Sequence, residues 1–161
     1  MNEEHLALYR RLSETKIYKE RFGEWSAGDK VWRKCTVFGE DLDKQIWSED
    51  QRTEIIVIRS KSSLQSKTYW HCTASNGDER LLSDQDILST TCLWLPPVFD
   101  PENPERCLVG MLNGDISLER ISDEWIVFSG SDSRGFYMHR VSEDRLDIAL
   151  IKTILKQEAK P

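Results

Sequence analysis

Helical periodicity dominates the first part of the chain. Leu8, Tyr9 and Leu12 recur at helical spacing, Ile17 and Tyr18 follow further along, and no Gly or Pro precedes Gly23. We predict one helix over residues 2–21. Its charged side chains alternate in sign, which is typical of a solvated helix face.

Residues 28–95 change to a pattern of short strands. Residues 54–59 form a β-branched run, and Asn76-Gly77 is a strong hairpin signal because both residues tolerate positive φ. The polar residues 39–52 predict a loop. Several short strands separated by tight turns favour a small antiparallel barrel of five strands over a parallel sheet.

Residues 98–161 predict a second module with the element order αβββα. Residues 105–112 have the pattern of a short helix, three strands alternate in a meander, and the closing helix is predicted to be capped by Ser142. The chain is therefore predicted to be α+β, with an N-terminal helix plus small antiparallel β-barrel over 1–97 and an αβββα module over 98–161. The boundary falls at Trp94-Leu95-Pro96-Pro97.

The first half resembles Tudor-like small barrels. The similar pieces are Gly28-Asp29-Lys30-Val31, Tyr69-Trp70-His71-Cys72, Asn76-Gly77-Asp78 and Ser83–Ile87. The resemblance implies that Trp32, Tyr69 and Trp70 are candidates for an aromatic cage or groove that binds a cation or a peptide. The alternative is that these residues supply core volume to a small module.

A second resemblance covers most of the chain. Phe22-Gly23-Glu24-Trp25, Gly28-Asp29 and Trp94-Leu95-Pro96, followed by a closing helix, resemble small uncharacterised proteins encoded by bacterial prophages. This resemblance implies a phage or mobile-element context and no particular activity.

Charge composition disfavours nucleic acid as the main ligand. The chain has 28 acidic and 22 basic residues, a net charge of -6, whereas nucleic-acid binders rely on cationic contacts to phosphates. The N-terminal half is the less acidic half, so any nucleic-acid contact is expected there. Its candidate residues are Arg10, Arg11, Lys16, Arg33 and Lys34.

The sequence indicates neither secretion nor membrane insertion. Residues 1–5 lack a basic segment followed by an apolar one, and no apolar run approaches a membrane span. We therefore expect a cytoplasmic protein that does not bind membranes.

Candidate chemistry is sparse. The four cysteines have no Cys-x-x-Cys spacing, so we expect no zinc site and no cofactor. His71 and Cys72 are strand neighbours and should point to opposite faces. Two sets of carboxylates could in principle hold a hard cation: Asp41, Asp43, Glu49 and Asp50 in the polar segment, and Glu119, Asp123, Glu124 and Asp132 in the second module.

These observations predict a non-enzymatic interaction protein that binds another protein through its barrel or the edge of a sheet. The alternatives are weak nucleic-acid binding by the N-terminal half and, third, a metal-dependent hydrolase. The oligomeric state stays open, because exposed sheet edges permit pairing but do not require it.

Overall fold

The structure is a computed structural model that describes residues 1–41, 46–87, 92–131 and 137–159. The chain is mixed α+β and divides into two compact units. The outer unit contains residues 1–23 and 96–161, and the inserted unit contains residues 24–95. This division differs from the linear boundary after Pro97, because the first helix packs against the last one. Within the described ranges, no helix has the length and apolar character that crossing a membrane requires.

The N-terminal segment forms two helices, α1 (Glu3–Glu14) and α2 (Lys16–Phe22), so the prediction of one continuous helix is wrong in detail. Thr15 separates them because its backbone is extended. Its hydroxyl accepts a hydrogen bond from the amide of Tyr18, and it donates to the carbonyl of Leu12 at 2.7 Å. A threonine at this position both ends one helix and caps the next.

The inserted unit contains five strands and one short helix: β1 (Lys30–Asp41), β2 (Ile46–Leu64), β3 (Lys67–Ala74), β4 (Glu79–Ser83), α3 (Asp84–Ile87) and β5 (Cys92–Leu95). The strands form an antiparallel sheet with the order β4-β3-β2-β1-β5. Each of β4 and β5 has one strand neighbour, so the described strands form an open sheet and no closed barrel.

The predicted polar loop over 39–52 is wrong for the residues that the structure describes. β1 continues to Asp41 and β2 starts at Ile46, and the two strands pair in continuous register along this segment. Cross-strand pairing satisfies the backbone hydrogen bonds of a polar strand without requiring an apolar pattern, so composition alone did not reveal it. Residues 42–45 lie outside the described residues.

One face of the sheet carries a continuous part of the core of the inserted unit. Val31 pairs with Ile56 on one side and with Trp94 on the other, and all three side chains are buried. Ile58 and Cys72 form the next buried pair on the same face. Directly opposed residues share a face, so these five side chains form one continuous apolar surface.

The outer unit contains the strands β6 (Ile116–Ile121), β7 (Glu124–Ser131) and β8 (Tyr137–Glu143) and the closing helix α4 (Leu146–Glu158). The strands form an antiparallel sheet with the order β6-β7-β8. The meander and the closing helix have the predicted order, but the predicted helix over 105–112 is wrong. Two short 3-10 turns, Pro104–Arg106 and Val109–Met111, replace it because the backbone of Cys107 between them is extended.

Helix α4 contacts three other elements of the outer unit, α1, β7 and β8. Six of its side chains are buried. Its C-terminal end is held by Gln157, whose side-chain amide exchanges two hydrogen bonds of 3.0 Å with the backbone of Asn113. The predicted cap is displaced: Ser142 lies on β8, and the helix begins after Arg145. Ser142 and Glu143 are therefore strand residues and do not form the N-terminus of the closing helix.

Candidate functional site

A groove of about 530 Å³ in the outer unit is the candidate site. Its walls come from three elements, α1, β8 and α4. The lining consists of four cationic side chains, one carboxylate, one hydroxyl and four apolar side chains: Arg11, Arg140, Lys152 and Lys156; Glu143; Ser142; and Leu8, Val141, Leu155 and Ala159.

The groove carries an excess of positive charge. Lys152 forms an ion pair with Glu143, which neutralises one of the four cations. Within the part of the chain that the structure describes, Arg11, Arg140 and Lys156 have no carboxylate at ion-pair distance, and all three are exposed. A chain of net charge -6 therefore presents a local cationic site, and clefts lined by one sign of charge concentrate ligands of the opposite sign.

The apolar part of the lining limits which ligands fit the site. Leu8 and Val141 are buried, and Leu155 is half-buried. The apolar side chains that line the groove are therefore packed against the rest of the outer unit. Small-molecule and peptide sites combine such apolar walls with a few polar groups that fix orientation. The lining suits a ligand that carries both carboxylates and hydrocarbon.

A partly buried hydrogen-bond network fixes α1 against the start of α4. The Tyr9 hydroxyl donates to Asp147 Oδ2 at 3.0 Å, and the Arg145 guanidinium donates to both carboxylate oxygens of Asp147. Burial acts to raise the pKa of Asp147, but the hydrogen bonds from Arg145 and Tyr9 outweigh it, so that pKa is lowered. The pKa of Tyr9 is raised, first by burial and then by the charge of Asp147. The network therefore holds two of the three groove walls in place.

The structure does not bring Trp32, Tyr69 and Trp70 together. Trp32 pairs with Ile55 of β2, and Tyr69 pairs with Ser62 of the same strand. At the rise of a strand, these two positions are about 20 Å apart along β2, so Trp32 and Tyr69 are at least as far apart. As strand neighbours, Tyr69 and Trp70 point to opposite faces. Both tryptophans are buried, so the three residues form no common cage.

Trp70 has a structural environment of its own. Its indole Nε1 donates to Asp84 Oδ1 at 2.6 Å, which ties β3 to α3. The Lys61 ammonium lies 5.0 Å from the ring centroid, within the range of a cation–π contact. These contacts indicate that Trp70 stabilises the inserted unit.

The nucleic-acid candidates are divided between the two units. Arg10, Arg11 and Lys16 belong to the outer unit, and Arg33 and Lys34 to the inserted unit. Lys16 pairs with Glu20 at 3.4 Å, and Arg33 Nε lies 3.0 Å from a carboxylate oxygen of Glu54. Among the five candidates, Arg11 is the one that lines the groove.

Sequence reasoning missed the other three cations of the groove. Lys152 and Lys156 are one helical turn apart on α4, which was the available signal, but their position near the helix C-terminus has a sufficient explanation in the helix dipole. Arg140 lies on β8, and no sequence pattern indicated that this strand borders α1 and α4.

The described residues give no geometric support to the hypothesis that carboxylates hold a hard cation. Glu119, Asp123 and Glu124 are exposed, and Glu124 accepts a hydrogen bond from Ser142. Asp43 and Asp132 lie outside the described residues. In the described ranges, no cluster of three or more His, Cys, Asp or Glu side chains could hold a metal ion.

His71 and Cys72 are on opposite faces of β3, as strand alternation predicts. Cys72 is buried, and burial raises the pKa of its thiol to about 11. His71 is exposed and hydrogen-bonds to Ser62 Oγ at 3.1 Å. A thiol with a raised pKa carries little thiolate near neutral pH, so the pair has no nucleophilic character.

Comparison with known proteins adds no relative. No protein-family model matches the chain, no curated protein is significantly similar to it, and no solved structure is significantly similar to its fold.

Proposed function

We propose that the chain is a non-enzymatic interaction protein that binds an acidic segment of another protein in the groove of the outer unit. One observation carries the proposal: four cationic side chains and one carboxylate surround an apolar lining in a chain whose net charge is -6. A cationic surface of this kind is complementary to carboxylates, and complementary charge governs which partner binds and how fast it binds.

The apolar lining favours a peptide over a nucleic acid. Nucleic-acid binders present rows of cations that follow a phosphate backbone, and single strands are usually held by stacking on aromatic side chains. The groove instead places its cations around Leu8, Val141 and Leu155, and none of its lining residues is aromatic. A peptide that alternates acidic and apolar residues matches both features.

The charge contribution to affinity should be modest. An exposed ion pair contributes about 0.2–1 kcal/mol, so the three cations without a described carboxylate partner would together contribute about 1–3 kcal/mol. Burial of apolar side chains against Leu8, Val141 and Leu155 supplies the rest. We expect binding that weakens with added salt, because exposed charges are screened within about 10 Å at 0.1 M ionic strength.

The inserted unit keeps its Tudor-like interpretation as part of the proposal. It rests on the sequence resemblance alone, since the described strands form an open sheet and no closed barrel. The prophage context and the cytoplasmic location likewise stay predictions that rest on the sequence.

A charge-reversal experiment tests the proposal. A fluorescently labelled, capped heptapeptide of alternating Glu and Val is titrated with the full chain, and anisotropy is recorded at low and moderate salt. The double variant Arg140→Glu/Lys156→Glu should weaken binding about tenfold or more, since it removes two attractive pairs and adds two repulsive ones.

The matched control is Lys30→Glu/Lys67→Glu, which makes the same change in charge at two exposed positions of the inserted unit. It should change the affinity less than about threefold, because its charges act from outside the site. Equal losses in both variants would refute the groove as the site. A labelled single-stranded oligonucleotide that binds while the peptide does not would favour the nucleic-acid alternative.

A further inference from the structure

The outer edge of β8 borders the groove. β8 pairs with β7 in a register that runs from Trp125 opposite Glu143 to Ser131 opposite Tyr137. Among the described residues, β8 has no second strand neighbour. An edge strand presents a row of backbone N–H and C=O groups on its open side, and these groups can pair with an extended chain.

The lining of the groove shows that it runs along this edge. Arg140, Val141, Ser142 and Glu143 are four consecutive residues of β8, and all four line the groove. Consecutive side chains of a strand point to opposite faces of the sheet. A run of four consecutive residues includes positions of both faces, which fits a groove that follows the open edge of the strand.

Cations flank the edge on both faces of the sheet. Glu143 pairs with Lys152 of α4, so the side chain of Glu143 points towards that helix. Arg140 is three residues away and, by alternation, points to the other face. Lys152 and Lys156 therefore stand on the α4 side of the edge, and Arg140 stands on the opposite side.

We propose that the acidic segment binds as an extended strand that adds to the open edge of β8, with its main chain paired to that of β8. This inference rests on the proposed function, because it specifies how the same groove holds the same class of ligand. Strand addition of this kind takes affinity from main-chain hydrogen bonds and specificity from pockets for alternate side chains.

The dimensions and charges of the groove fit this mode. A strand residue occupies roughly 3.3 Å along the chain, about 4.8 Å between strands and about 10 Å between packed layers, or ~160 Å³. A groove of about 530 Å³ thus holds roughly three strand residues. Lys152 is already paired with Glu143, so acidic side chains on one face would meet Lys156, and those on the other face would meet Arg140.

A second copy of the chain fits the edge less well. Pairing of β8 with β8 of another copy would bring two sets of Arg140, Lys152 and Lys156 together, with one Glu143 from each copy to offset them. Like charges brought together at an interface oppose association. A nucleic acid also fits less well, since it offers no row of amides to the open backbone of β8.

Selective N-methylation of the same alternating Glu-Val heptapeptide tests the strand mode on the full chain. N-methylation removes an amide donor and keeps the side chains. An added strand pairs through one of its two edges, so it uses the amides of alternate residues, either those of Glu or those of Val. Two half-methylated peptides, one with every Glu and one with every Val methylated, distinguish these cases. At least one of them should bind within about threefold of the parent. The fully methylated peptide should lose about tenfold or more.

Amide hydrogen exchange supplies a second readout. The parent peptide should slow the exchange of β8 amides between Arg140 and Glu143, and the fully methylated peptide should not. Full affinity of the fully methylated peptide, or equal loss by both half-methylated peptides, would overturn the strand mode while leaving the proposed function intact. Failure of the parent peptide to bind would overturn both.

Discussion

Replacement of Tyr9 with Phe removes one hydrogen bond and keeps a buried ring. The hydroxyl of Tyr9 donates to Asp147 at 3.0 Å, and Tyr9 is 5% exposed. A hydrogen bond to a charged group contributes about 1.5–3 kcal/mol. Asp147 keeps both bonds from Arg145, and its side chain is 14% exposed, so we expect the lower part of that range, about 1.5–2 kcal/mol of lost stability.

The loss should depend on pH in a defined way. The pKa of Asp147 is lowered in the fold, so its contribution is complete above the unfolded pKa of about 3.9 and is lost as the pH falls through the folded pKa. The pKa of Tyr9 is raised in the fold, so its contribution is complete below the unfolded pKa of about 10 and is lost as the pH rises through the folded pKa. The difference between the two proteins should therefore be largest from about pH 5 to about pH 9 and smaller at both extremes.

Urea unfolding followed by circular dichroism measures this difference. α1, α2 and α4 all belong to the outer unit, so the helical signal reports mainly on that unit. Tyr137→Phe is the matched control, because Tyr137 is 44% exposed and should lose less than about 0.5 kcal/mol. A loss below about 0.5 kcal/mol in Tyr9→Phe near neutral pH, or one that is the same at every pH, would refute the reasoning.

Two other pairs of variants test the outer unit by thermal unfolding. Gly110→Ala would place its Cβ 1.9 Å from the carbonyl oxygen of Pro104 and should cost about 3 kcal/mol or more. Gly114→Ala meets open space at a φ of +77° and should cost about 1 kcal/mol; equal effects would contradict this assignment. Gln157→Ala removes both bonds to the backbone of Asn113 and should cost about 1 kcal/mol, whereas its exposed neighbour Glu158 should lose less than about 0.5 kcal/mol in Glu158→Ala. Equal losses in the two variants would contradict a stabilising role of these bonds.

Local periodicity correctly predicted those elements in which the buried residues follow the repeat of apolar residues in the sequence. The closing helix is the clearest case: Leu146, Ala149, Leu150, Thr153 and Ile154 repeat at the spacing of one helical face, and all of them are buried except Leu146, which is half-buried. The meander followed from alternation and turn residues. The error at Thr15 shows the limit of periodicity, because a cap that joins two helices leaves the apolar spacing of the segment almost unchanged.

The candidate site was beyond sequence reasoning for a physical reason. Its cations lie on α1, β8 and α4, and they converge because both ends of the outer unit pack together. Positions as far apart as Arg11 and Lys156 carry no local pattern that links them. The aromatic candidates illustrate the opposite case: Tyr69 and Trp70 are adjacent in sequence, but strand alternation points their side chains to opposite faces.

Chemical-shift mapping is the most direct test of the central claim. The amide spectrum of the isotope-labelled full chain is recorded while the alternating Glu-Val heptapeptide is added. Binding in the groove predicts shifts concentrated at Leu8 and Arg11 of α1, Val141 of β8, and Leu155 and Lys156 of α4, with loss of these shifts in Arg140→Glu/Lys156→Glu. An unchanged spectrum, or shifts confined to residues 24–95, would contradict the assignment of the groove as the binding site.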